Sequence, residues 1–188
     1  MKKTLIAFAA VLATSAAFAQ TADTLKKIKD SGSISLGVRE SSGLSYTIGN
    51  GKFVGFHTEM AERVIADLQK QLGLAKLEVK YQPVTSQNRI PLVQNGTVDL
   101  ECGSTTNNAA RQKDVSFAVT TYVEEVRIAV KANSGINGIA QLAGKKVATT
   151  TGTTSVQTLR KHERATSVNF EEVFGKDHAD SFLLLESG

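Results

Sequence analysis

The chain has 188 residues, 41% hydrophobic and 21% charged with 2 prolines, an ordinary globular balance that excludes a collagen-like, low-complexity or coiled-coil rod. Its formal charge is +4, but Lys2 and Lys3 fall in a removable leader, so the remainder carries 20 basic and 18 acidic residues. That near-balance gives no electrostatic case for nucleic acid.

The one long apolar run, Leu5 to Phe18, spans about 14 residues, short of the ~20 that a membrane-crossing helix needs. Met1-Lys2-Lys3 before it and Ala17-Phe18-Ala19 at its end give the charged start, apolar middle and small-x-small cleavage site of a secretory signal peptide over residues 1–19. The absence of an Arg-Arg pair points to general secretion, and no Cys follows to carry a lipid. The expected compartment is a bacterial periplasm.

In chain order, a short helix is expected from Thr24 to Lys29, capped near Asp23 and stopped by Ser31-Gly32. Ile34, Leu36 and Val38 alternate as a strand ending at Arg39. Asn50-Gly51 marks a turn, Phe53-Val54 a short strand, and Glu59 to Leu72 a helix whose apolar face is Met60, Val64, Ile65, Leu68 and Leu72. Leu77 to Tyr81 reads as a strand, and Ser86 as the cap of a helix carrying Arg89, Ile90, Leu92 and Val93. Val98 to Cys102 forms the next strand and Val115 to Val119 an extended piece. This β-α-β order implies a parallel sheet with helices on both faces.

From Val123 the pattern changes. A β-rich run at Val126 to Val130 is followed by a helical turn at Gly138 to Gly144 and a strand at Lys146 to Thr149. Gly152-Thr153-Thr154-Ser155 then caps a helix carrying Val156 and Leu159, Val168 to Val173 is extended, and Asp180 opens a last helix. The expected division is residues 20–123 as the first lobe and 124–188 as the hinge and the beginning of a second. Because the chain ends on the apolar turn Phe182-Leu183-Leu184-Leu185, it is expected to be C-terminally incomplete and to bind ligand poorly as it stands. Cys102 is the sole cysteine. In an oxidising compartment such a thiol is either buried or paired with a cysteine in a segment beyond Gly188.

Ligands of open α/β sheets bind outside the carboxyl ends of the strands, and the residues there are polar: Arg39-Glu40-Ser41-Ser42, Thr85-Ser86-Gln87-Asn88-Arg89, Gly103-Ser104-Thr105-Thr106, and Thr150 to Ser155. Arg39, Arg89 and Arg111 stand beside hydroxyl clusters without an obvious matching acid. Guanidinium forks and helix N-terminal amides both suit carboxylates, so a small anion is the expected ligand. Gly152 to Ser155 serves equally as a plain helix cap, and it lacks the Gly-Lys-Ser/Thr ending of a P-loop. No nucleophile elbow, zinc-binding His-Glu-x-x-His or Cys-x-x-Cys occurs. His57 and His162 are expected to be exposed on helices, and His178 to be placed where a ligand reaches it.

Longer stretches carry a resemblance: Val38-Arg39-Glu40-Ser41-Ser42, Thr85-Ser86-Gln87-Asn88-Arg89-Ile90-Pro91-Leu92, Glu101-Cys102-Gly103-Ser104-Thr105-Thr106-Asn107-Asn108 and Lys176-Asp177-His178-Ala179-Asp180-Ser181-Phe182. In these the chain resembles the type II periplasmic solute-binding proteins of amino-acid ABC transporters, in their glutamate/aspartate-binding branch. His57 departs from the family's acidic residue at that place. The resemblance implies two α/β lobes joined by hinge strands that close over an acidic amino acid, with an ABC transporter membrane permease as partner. It implies no catalysis, cofactor or metal, and a monomer. Arg111 would grip the α-carboxylate with Thr106 and Thr154, Ser104 would meet the α-ammonium, and Arg39, Ser86, Arg89 and His178 would receive the side-chain carboxylate. The other reading is an extracytoplasmic sensing module of a receptor or of a cell-wall lytic enzyme.

Overall fold

The computed structural model describes residues 23–188, and the expected leader, residues 1–19, lies outside them. Helix α1 (Thr24–Ser31) begins where Asp23 accepts a hydrogen bond from the Lys26 amide at 3.1 Å. It ends where the Gly32 N–H returns to the Ile28 carbonyl. Strand β1 (Ser33–Val38) follows and becomes the centre of a parallel sheet. Its side chains Ile34, Leu36 and Val38, which share one face of the strand, are 0–2% exposed, as a face packed on the core requires.

A small antiparallel ribbon, β2 (Tyr46–Thr47) with β3 (Phe53–Val54), leads into helix α2 (Phe56–Gln71). Ala61 and Ile65 of α2 are buried against Ile28, Ile34, Leu36, Val38 and Leu77, with Leu68 and Leu72 partly buried beside them. Those four sit at helical spacing on one stripe. Val64, expected on that stripe, lies at its margin and is 52% exposed.

Strand β4 (Glu78–Pro83), helix α3 (Arg89–Gln94) and strand β5 (Leu100–Glu101) complete this unit, in the sheet order β4-β1-β5. Leu36 lies opposite Tyr81 on one side and Leu100 on the other. Ser86 is not the cap of α3. Thr85 and Asn88 close the turn themselves, Thr85 N–H donating to Asn88 Oδ1 at 2.8 Å and Asn88 N–H to Thr85 Oγ1 at 3.3 Å, and the helix starts one residue later. Cys102 is a free, half-buried thiol packed against the core. Burial, aided by the Glu101 charge, pushes its pKa up to about 11.

The second unit has its own sheet and core. Strands β6 (Lys146–Thr150) and β7 (Glu171–Gly175) pair in parallel across helix α4 (Thr154–Thr166), and helix α5 (His178–Ser187) follows. Leu142, Val147 and Leu159 are buried together, with Ile136, Ile139 and Phe170 packed on them. β7 lies about three residues later than its expected position, and α5 starts at His178 rather than Asp180.

Between the units, residues 115–130 form no strand, contrary to the alternation at Val115 to Val119 and Val126 to Val130. An extended segment becomes a strand only when a neighbour takes its N–H and C=O groups. No described segment pairs with this one, and Val119 stays 85%, Val126 54% and Ile128 42% exposed. Among the described residues, no helix is long and apolar enough to cross a membrane.

Candidate functional site

Parallel strands deliver their C-terminal ends to one side, and the chain spends polar residues there. Arg39 directly follows β1 and is fully buried. Its Nη1 donates to Ser104 Oγ over a long 3.5 Å, and its Nη2 forms an ion pair with Asp177. Arg89 opens α3, is 2% exposed, and donates from Nη1 to the same Ser104 Oγ at 3.4 Å. The Nε atoms of both arginines are buried without a hydrogen-bond partner, as are Ser86 Oγ and Glu101 Oε1. Buried polar groups without partners are uncommon in folded proteins.

Arg111 joins the two units. Its Nη1 donates to the Thr106 carbonyl and its Nη2 to the Gly152 carbonyl, both at 3.0 Å. The Thr106 and Thr154 hydroxyls lie 3.4 Å apart. Gly152 has φ +78°, and a Cβ there would stand 2.6 Å from the Ser86 carbonyl oxygen and 2.7 Å from Gln87 Cα. Only glycine permits that approach of the second unit to the first. His178 comes from the start of α5, its Nδ1 3.1 Å from Thr150 Oγ1. A cavity of about 530 Å3 opens between the units, with Ser86, Gln87, Arg111, Gly152 and Thr153 among its lining residues. A larger apolar cavity of about 1000 Å3 lies in the second unit, bounded by residues such as Ile128, Leu142, Leu185 and His178.

Burial dominates the electrostatics. It pulls the Arg89 pKa down to about 10, opposed by the charges of Glu101 and Asp177 and reinforced by those of Arg39 and Arg111. Arg111 is lowered by burial too, with Glu101 acting against it. His178 is lowered by burial first and then by Arg39, so at neutral pH it is uncharged. The cluster therefore holds three guanidinium cations against two nearby acids, Glu101 and Asp177.

Of the residues expected at the site, Arg39 and Arg89 meet at Ser104, Arg111, Thr106 and Thr154 lie together, the Ser86 carbonyl faces Gly152, and His178 stands beside Thr150. The reading of arginines without an acid needs correction: Asp177 pairs with Arg39, Ser41 Oγ donates to Asp177 Oδ2 at 3.0 Å, and Glu101 accepts from Thr105 Oγ1 at 2.7 Å. β7 ends at Gly175 and not at the expected Val173, which makes Lys176-Asp177-His178 a strand end. His57 also departs from expectation. It is 7% exposed, with Nδ1 2.5 Å from the Gly103 carbonyl and Nε2 2.9 Å from Thr121 Oγ1. His162 is half-buried, its Nε2 enclosed without a partner. Among the described residues, no group of three or more His, Cys, Asp or Glu is arranged to hold a metal ion.

Residues 34–183 match the bacterial extracellular solute-binding proteins, family 3, and the chain belongs to that family. It is 43% identical over 182 residues to an L-glutamate/L-aspartate-binding protein of Pseudomonas aeruginosa, covering 96% of this chain and 60% of that one. It is 44% identical over 185 residues to a glutamate/aspartate import solute-binding protein of Escherichia coli K12, covering 94% and 61%. The chain thus spans about 60% of the length of these curated relatives. Among solved structures, it is similar to an ancestral amino acid-binding protein, a precursor of cyclohexadienyl dehydratase, with TM-score 0.72 and 26% identity over 88% of this chain and 70% of that one. A solute receptor for L-cysteine of Neisseria gonorrhoeae matches with TM-score 0.69 and 23% identity over 87% and 64%. The fold is that of the type II periplasmic binding proteins.

Proposed function

We propose that this protein is a periplasmic receptor that closes two lobes over L-glutamate or L-aspartate and hands it to the membrane permease of an ABC transporter, as a monomer and without catalysis. Residues 20–123 serve as the first lobe, and 124–188 as the hinge and the beginning of the second. The names of the relatives from Pseudomonas aeruginosa and Escherichia coli support this choice of ligand. The observation that carries it is Arg89: a guanidinium 2% exposed that forms no ion pair among the described residues. A buried charge is stable only when paired, and a ligand carboxylate supplies the pair.

In this reading Arg111, Thr106 and Thr154 take the α-carboxylate, Ser104 takes the ammonium, and Arg89, Arg39, Ser86 and His178 take the side-chain carboxylate. The charges support an acidic ligand. Three arginines against Glu101 and Asp177 leave one net positive charge, which complements an amino acid with two carboxylates and one ammonium. Titration calorimetry of the full protein tests the reading. Glutamate and aspartate should bind, with glutamine at least about tenfold weaker, since one unpaired buried charge is worth more than 1.4 kcal/mol. Equal affinity for glutamine would refute it. Mass spectrometry of the exported protein should find Gln20 as the first residue, and an intact Met1 would refute cleavage after Ala19.

A further inference from the structure

Asp177 lies at the N-cap of α5, in the second unit, yet its carboxylate is spent on the first. One oxygen pairs with the fully buried Arg39 after β1, the other accepts from Ser41 Oγ at 3.0 Å, and Ser41 Oγ in turn accepts from the Ala179 amide at 3.3 Å. Asp177 makes no side-chain cap to its own helix. Two residues of one lobe thus hold the start of a helix in the other. A carboxylate left 17% exposed and joined to a cation with no exposure interacts through a poorly screened medium, unlike a surface pair. The same contact occupies the outer nitrogen of Arg39 and leaves Arg89 as the cation without a carboxylate.

We propose that Asp177 is the closure latch of the receptor: by binding Arg39 and Ser41 across the cleft it populates the closed state before ligand arrives, and so raises affinity without reading the ligand's side chain. The latch itself is independent of the ligand's identity, whereas its effect on affinity rests on the function proposed above. A pre-populated closed state strengthens apparent affinity by the fraction of molecules already competent to bind, and in hinge closure a few residues between the lobes absorb the change in backbone angles.

The test is energy transfer between fluorophores on Lys76→Cys and Arg164→Cys, both at exposed positions in opposite lobes, in the full protein without ligand. Asp177→Asn should lower transfer by opening the lobes, Ser41→Ala should lower it part-way, and rising salt should open the parent protein more than Asp177→Asn. The Asn variant should lose about tenfold in glutamate affinity. Unaltered transfer in both variants would overturn the latch, and so would tighter glutamate binding by Asp177→Asn, which would make Asp177 a competitor for Arg39. If the parent protein binds no glutamate, the ligand reading fails, and the transfer measurement still decides the latch. Ser41→Ala removes only a hydroxyl, so the proposal stays testable should Asp177→Asn unfold.

Discussion

His57 Nδ1 lies 2.5 Å from the carbonyl oxygen of Gly103, which binds the start of α2 to the loop that carries Ser104. Because that nitrogen faces a carbonyl, it carries the hydrogen. The other ring nitrogen, 2.9 Å from Thr121 Oγ1, reaches the segment between the units. The histidine therefore ties together the loop after β5, α2 and the connecting chain.

Replacing His57 by Ala leaves the Gly103 carbonyl without its partner and should cost about 1–3 kcal/mol. Urea unfolding should show a lower midpoint at an unchanged slope. His57→Gln, which keeps a donor, should recover part of the loss. A His57→Ala midpoint equal to the parent's would show that the contact contributes nothing.

Gly152→Ala places a methyl group 2.6 Å from the Ser86 carbonyl oxygen at a backbone φ of +78°. Its left-handed conformation costs about 1–2 kcal/mol for any L side chain, and the clash pushes the lobes apart. Small-angle scattering should record a larger radius of gyration than the parent's, with weaker glutamate binding. An unchanged radius would mean that the Gly152–Ser86 approach is not part of the closed state.

The pH prediction follows from His178, whose folded pKa lies below its ordinary value because of burial and the neighbouring Arg39. Between about 6.5, where an unfolded histidine titrates, and its own lower value, the unfolded chain binds the proton and the folded one does not. Stability is therefore complete above about pH 6.5 and declines as pH falls through that window. Thermal melts of the ligand-free protein should show this decline, and His178→Gln should flatten it. A variant with the parent's pH profile would contradict the assignment.

The first sheet was legible because local rules agreed: Asp23 and Gly32 bound α1, and Ile34, Leu36 and Val38 alternate beside a helix with a matching apolar stripe. The arginines and hydroxyls of the site were legible because parallel strands send their ends to one side. Asp177 as the ion partner of Arg39, and Glu101 as a charge acting on Arg89, were not legible. An acid next to a histidine or inside a strand carries no periodic signal, and its role depends on a residue as far away as Arg39 is from Asp177. The extended segment 115–130 misled for a related reason: strand propensity is a local quantity, whereas pairing depends on a distant neighbour.

The central claim is that Arg89 reads the side-chain carboxylate of an acidic amino acid. Replacing Arg89 by Met keeps most of the buried side chain's apolar length and removes the charge. Calorimetry of parent and variant with glutamate and with glutamine decides the matter. The account predicts that glutamate binding weakens by about 2–5 kcal/mol, the loss expected for one partner of a buried charge pair, while glutamine binding changes far less. Equal losses for the two ligands would contradict it.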